Sequence, residues 1–167
     1  MSEFLPIENY VPHRGEMLLL EQLLHADAET AVAQVVVPRD GLFLRDAGMP
    51  SWVGIEYMAQ TVAAWAGWQA VQARQPVKLG FLLGTRKYQA RCGHFGAGSV
   101  LRVHVRRELL GDNGLGMFDC RILGQGCDEQ EQEQEVLAQA RISVYEPEDG
   151  SAYLHALEQQ EMNEPHE

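Results

Sequence analysis

The sequence predicts an α+β fold in which one antiparallel sheet wraps around a single long central helix. Three observations carry this expectation. Residues 52–73 form an uninterrupted, nearly all-apolar stretch of helical length, with Glu56 as its only charge. Two strand-like segments precede it and four follow, each bounded by turn residues. One helix cannot cover both faces of so large a sheet, so the sheet must curl around it, and a helix apolar nearly all round needs burial on every side.

Along the chain, residues 17–24 are an apolar run that ends at Asp27-Ala28-Glu29-Thr30, and the valine-rich 31–37 completes a hairpin. A loop follows over 38–50, punctuated by Pro38, Gly41, Gly48 and Pro50. Pro50-Ser51 opens the helix with Ser51 as its N-cap, and Gln75-Pro76 stops it. Residues 77–89 read as the next strand. Segment 100–107 alternates Leu101, Val103 and Val105 against Arg102, His104 and Arg106. Gly111-Asp112-Asn113-Gly114 turns it into 115–123, and the last strand covers 136–145. The acidic stretch 128–135 between these strands reads as a solvated hairpin tip. Two strands, one helix and four strands make the hotdog architecture. Residues 1–146 are expected to form a single hotdog domain, and 147–167 an acidic C-terminal tail with a short helix at 152–160.

At 167 residues and 46% hydrophobic content the chain is one globular domain, large enough to hold a core without staples. Its net charge of −11 argues against nucleic acid as a partner. The distribution is uneven, however. Residues 57–107 hold eight Lys and Arg and no acid, a charge of +8, which leaves five basic against 24 acidic residues elsewhere. Such a segment is either a run of solvated strand faces or a patch for an anionic partner.

Three cysteines, Cys92, Cys120 and Cys127, are an odd number without C-x-x-C spacing, so neither a disulfide framework nor a metal site is expected. The N-terminus lacks the basic and apolar regions of a secretory signal. Glu56, Gln60, Gln69 and Gln72 make 52–73 too polar for membrane insertion. A cytoplasmic protein is expected.

Glu56 is the residue that a purely structural helix does not explain. Helix-dipole stabilisation would favour an acid in the first turns, but a capping box would need it at position 54, which is Gly. A carboxylate on an apolar helix is costly to bury unless paired, and desolvation moves it toward acid/base use.

The stretch Met49-Pro50-Ser51-Trp52-Val53-Gly54-Ile55-Glu56-Tyr57-Met58-Ala59-Gln60 resembles the F-P-G-V-L-x-x-E-A-M-A-Q segment of bacterial 3-hydroxyacyl-acyl carrier protein dehydratases. Val11-Pro12-His13-Arg14 with Met17-Leu18-Leu19-Leu20 resembles their L-P-H-R-x-P-F-L-L-V opening, and Phe81-Leu82-Leu83-Gly84 their F-A-G strand. The run Glu56-Tyr57-Met58-Ala59-Gln60-Thr61-Val62-Ala63-Ala64-Trp65-Ala66-Gly67-Trp68 is more similar still to the predicted hotdog dehydratases of aryl polyene gene clusters.

The resemblance implies a cofactor-independent dehydration in which a histidine of a G-H-F motif removes the α-proton and a helix carboxylate from the partner subunit helps expel the β-hydroxyl. Glu56 matches the carboxylate. Leu42, fourteen positions before it as in the family, stands where the histidine would be. The base must then come from elsewhere: from His13, or from a histidine-bearing related subunit in a heteromer. The alternatives are an acyl-thioester hydrolase and a non-catalytic partner subunit. Ser51, which replaces the family's helix-start glycine, Trp52 and Gly84 are the substrate-binding candidates. An acidic acyl carrier protein would dock on Arg74, Lys78, Arg86, Lys87 and Arg91, with the chain acting as homodimer or heteromer.

Overall fold

The computed structural model describes residues 3–41, 43–46, 48–125 and 134–163. Leu42, Cys127 and most of the acidic 128–135 stretch lie outside the described residues. Strands β1 (Gln22–Ala26) and β2 (Thr30–Val36) form the first hairpin. Its turn is fixed by Asp27, whose carboxylate accepts from the Glu29 and Thr30 amides at 2.8 and 2.7 Å and from the Thr30 hydroxyl at 2.9 Å. A two-residue strand β3 (Met49–Pro50) and a 3-10 turn (Ser51–Val53) lead into helix α1 (Gly54–Gln72). Then come β4 (Phe81–Ala90), the short β5 (His94–Phe95), β6 (Val100–Leu110), β7 (Leu115–Gln125), β8 (Gln134–Tyr145) and helix α2 (Gly150–Asn163).

Six strands form one antiparallel sheet in the order β1-β2-β6-β7-β8-β4, and β3 pairs separately with β5. Alternation sets the inner face. Ala31, Ala33 and Val35, Leu101, Val103 and Val105, Phe118, Cys120 and Ile122, and Ala138, Ala140 and Ile142 are all buried. They close on Tyr57, Met58, Thr61, Val62, Ala64 and Trp65 of α1, and Trp65 packs edge-on against Phe118 at 5.4 Å. This is the hotdog fold that the strand order predicts. Gly67 lets the helix press directly on the N-terminal segment: a Cβ there would sit 1.8 Å from the Tyr10 carbonyl oxygen.

Several expectations are corrected. The first strand begins at Gln22, not at residue 17, because Gly15–Met17 is a 3-10 turn and the Leu19 amide bonds a helix side chain instead of a strand. Ser51 makes no side-chain cap; it opens a 3-10 turn, and its own amide donates to the Gly93 carbonyl at 3.0 Å. The helix is not enclosed on every side, since Glu56, Ala59, Ala63 and Ala66, on one flank, are only half-buried. Cys92 is disulfide-bonded, where free thiols were expected, and Cys120 is a free buried thiol. The C-terminal helix is longer than predicted, and its Tyr153 meets the rings of Phe81 and Tyr145 with centroids 4.9 and 5.1 Å away.

Candidate active site

Glu56 projects from the first turn of α1, and His13 comes from the irregular N-terminal segment that crosses the helix. Their side chains meet, with His13 Nε2 3.8 Å from Glu56 Oε1 and side-chain exposures of 28% and 37%. Neither position is left to chance. The Arg14 guanidinium donates to the carbonyls of Val11, His13 and Glu8 at 2.6–2.7 Å, which fixes the bend that carries His13. Gln60, one turn after Glu56 and fully buried, does the rest. Its Nε2 donates to the Met17 carbonyl at 2.7 Å and to Glu56 Oε1 at 3.0 Å, while its Oε1 accepts from the Leu19 amide at 2.9 Å. One glutamine therefore clips the 13–19 segment to the helix and orients the carboxylate in the same step.

Burial lowers the His13 pKa below its ordinary 6.5; Glu56 opposes that shift and Arg14 adds to it. His13 is consequently neutral at neutral pH and able to accept a proton. Its Nδ1 is buried without a hydrogen-bond partner among the described residues.

The pair opens on a cavity of about 680 Å³. The half-buried stripe Ala59, Ala63 and Ala66 forms one wall, and Phe81 and Phe118 line it further along. Lys78 and Arg107 also reach this cavity, as does Glu146, whose carboxyl is raised by burial against the opposing effect of Lys78. The arrangement offers a proton acceptor and a carboxyl group side by side at one point of an apolar slot, the combination that an elimination needs.

The other predicted residues are not brought to this point. Trp52 is 55% exposed and packs edge-on against Phe43 at 5.9 Å. The Ser51 carbonyl accepts from the Tyr88 hydroxyl and its amide is taken by Gly93, so neither backbone group is free for substrate. Gly84 is exposed on β4, where a Cβ would meet nothing within 4 Å; Gly80 lines the cavity instead. The five basic residues are dispersed. Arg74 lies just beyond the C-cap of α1, Lys78 lies at the cavity, Arg86 is registered against Arg141 of β8, Lys87 sits at a bulge, and Arg91 pairs with Glu135. Sequence reasoning missed Gln60 as a functional residue, although a glutamine four positions after a carboxylate on an apolar helix was the available signal.

Residues 5–155 match the family model ApeP-like, described as ApeP dehydratase. The chain belongs to the ApeP-like dehydratase family. A chain of the dehydratase heterocomplex ApeI:P from Xenorhabdus doucetiae is 32% identical to it, with a TM-score of 0.80 over 93% of this chain and 99% of that one. A hypothetical thioesterase with coenzyme A from Streptococcus pneumoniae TIGR4 superposes at 0.55, with 12% identity over 75% of this chain and 84% of that one. The uncharacterized protein PH1136 from Pyrococcus horikoshii superposes at 0.57, with 11% identity over 87% and 97%. The last two share the fold alone. No curated protein matches the chain. Among the described residues, no helix of this ApeP-like protein is long and apolar enough to cross a membrane.

Proposed function

We propose that this ApeP-like chain dehydrates 3-hydroxyacyl thioesters delivered by an acyl carrier protein, in biosynthesis of the fatty acid or aryl polyene type. The observation that carries the reading is the His13–Glu56 pair at a slot lined by apolar residues. His13 Nε2 takes the α-proton, and as the β-carbon–oxygen bond breaks that same proton passes from the imidazolium, steadied by the Glu56 carboxylate beside it, to the departing hydroxyl. The products are an enoyl thioester and water, and the pair ends in the state in which it began. The base missing at Leu42 is thereby supplied from the N-terminal segment.

The resemblance to a chain of a dehydratase heterocomplex supports a heteromer with a related hotdog subunit as the working form. The edge position of β4, with Leu82 and Leu83 40% and 51% exposed, suits such a neighbour.

The test is an assay on a 3-hydroxyacyl carrier thioester, alone and with a histidine-bearing hotdog homologue. Enoyl thioester that vanishes in both Glu56→Gln and His13→Asn supports the reading. Free thiol in place of enoyl product identifies a thioesterase. Dehydration that needs the homologue and survives His13→Asn assigns the base to the partner and removes it from His13.

A further inference from the structure

The slot that starts at His13 and Glu56 has a far end. Its lining follows α1 through Glu56, Ala59, Ala63, Ala66 and Gln69, about 20 Å of helix axis. Strand β7 runs the opposite way beneath it. Ile122 lies against Gly54, where a Cβ would meet its Cδ1 at 2.9 Å, and Phe118 lies against Trp65. Gly116 and Leu115, which pair with Val144 and Tyr145 of β8, are therefore past Trp65, at the end away from His13. The chain leaves β8 there, and Glu146, Pro147 and Glu148 line the cavity.

This exit is fixed in place. The Glu146 amide donates to the Gly114 carbonyl at 2.9 Å. Gly114 has φ +85° and no room for a Cβ against the Glu146 carbonyl oxygen, so glycine alone lets the β6–β7 turn meet the exit. Helix α2 packs back on the same end. Gly150 lies against Leu79, and Tyr153 meets Phe81 and Tyr145, two rings that line the slot. Tyr153 is half-buried, on a helix that buries no residue completely. The far end also differs in chemistry from the alanine stripe, because Lys78, Glu146 and Glu148 bring charged groups to it.

We infer that the Glu146–Glu148 exit, braced from outside by Tyr153, is an end wall that limits the length of the acyl chain accepted at His13 and Glu56. The limit rests on the dehydratase reading for its acyl ligand and on the slot alone for its position. Each methylene laid along the alanine stripe gains by burial. A chain long enough to touch the wall must strip water from Lys78 and two carboxyl groups without offering them a hydrogen bond, which costs more than a methylene gains. Tyr153 touches no ligand. It is a positioning residue, whose ring holds Phe81 and Tyr145 in the wall.

The test measures binding of a length series of saturated acyl-pantetheine amides to the full-length chain by calorimetry. An amide in place of the thioester keeps the probe from being consumed by dehydration or hydrolysis. Wild-type affinity is expected to rise by up to about fourfold per methylene and then to fall at a defined length. Tyr153→Ala loosens the wall and Lys78→Met makes it less polar. Each should move the fall to longer chains while leaving the shorter probes within about twofold of wild type. Tyr153→Phe keeps the ring and should keep the wild-type limit. Affinity that climbs without a fall in wild type overturns the assignment, as does a limit that neither Tyr153→Ala nor Lys78→Met moves. Lys78 is exposed, so its substitution reads the wall even where Tyr153→Ala melts early. Binding needs no turnover. Absence of enoyl product in the catalytic assay therefore counts against the dehydratase reading alone, and an unmoved limit beside full dehydration counts against the wall alone.

Discussion

His13 Nε2 lies 3.8 Å from Glu56 Oε1, and each group is held by a third residue rather than by the other. Arg14 fixes the segment that carries His13, and Gln60 fixes the carboxylate. The pair is thus set before substrate arrives, which is the condition for two groups to act on adjacent carbons without rearrangement. Removing either member should be nearly as damaging as removing both. Glu56→Gln, His13→Asn and the double variant are expected to share a loss of roughly 100-fold or more in kcat. Steady-state enoyl formation on all three checks this; losses that multiply would show two independent groups.

The environment of His13 predicts its titration. Burial pushes its pKa below 6.5 while Glu56 pushes it up. In Glu56→Gln the raising influence is gone, so the pKa should fall further, and an NMR titration of the His13 ring reads this without any need for activity. The linked stability follows in sign. The unfolded chain binds the proton near 6.5 and the folded chain only at lower pH. The stability tied to neutral His13 is therefore present above 6.5 and lost as pH falls through the folded value. His13→Asn should flatten that part of the pH–stability curve, as seen in urea midpoints between about pH 7 and 5.

Gln60 is expected to act as a positioning residue. Gln60→Met keeps the volume but leaves the Met17 carbonyl and the Leu19 amide without their partner, at about 1–3 kcal/mol for each buried group left unsatisfied. It also frees the Glu56 carboxylate to rotate. The expected outcome is a roughly tenfold or greater fall in kcat with KM little changed, since the slot itself is intact. An equal rise in KM would mean that Gln60 shapes the slot instead.

The sheet was legible in the sequence because period-two alternation and turn residues are local signals. Arg102, His104 and Arg106 could be assigned to the outer face from spacing alone. The helix was legible as a buried element, but its half-open flank was not. Ala59, Ala63 and Ala66 read as core by composition, and only the sheet's path leaves them facing a cavity. Glu56 stood out because a lone charge on an apolar helix has few cheap explanations. Its contact with His13 is different in kind: it depends on a bend at residues 13–19 that is made by side-chain bonds from Arg14 and Gln60 and carries no periodic signature.

Gly67 provides a test of the packing that brings His13 to the helix. Taken as a helix residue alone, Gly67→Ala should help, by about 0.8–1.0 kcal/mol of propensity. The structure reverses that sign. The added Cβ would lie 1.8 Å from the Tyr10 carbonyl oxygen and 2.8 Å from its Cα, both backbone atoms that cannot swing aside as a flexible side chain would. The N-terminal segment must move off the helix, at a cost of about 1–3 kcal/mol for overpacking, which outweighs the propensity gain. Because Arg14 ties this segment to His13, the displacement should reach the site as well. Gly67→Ala is therefore expected to lower the urea midpoint and to reduce kcat, although residue 67 does not line the cavity. A stabilised variant with full turnover would show that the close approach of helix and N-terminal segment is not what holds His13 in place.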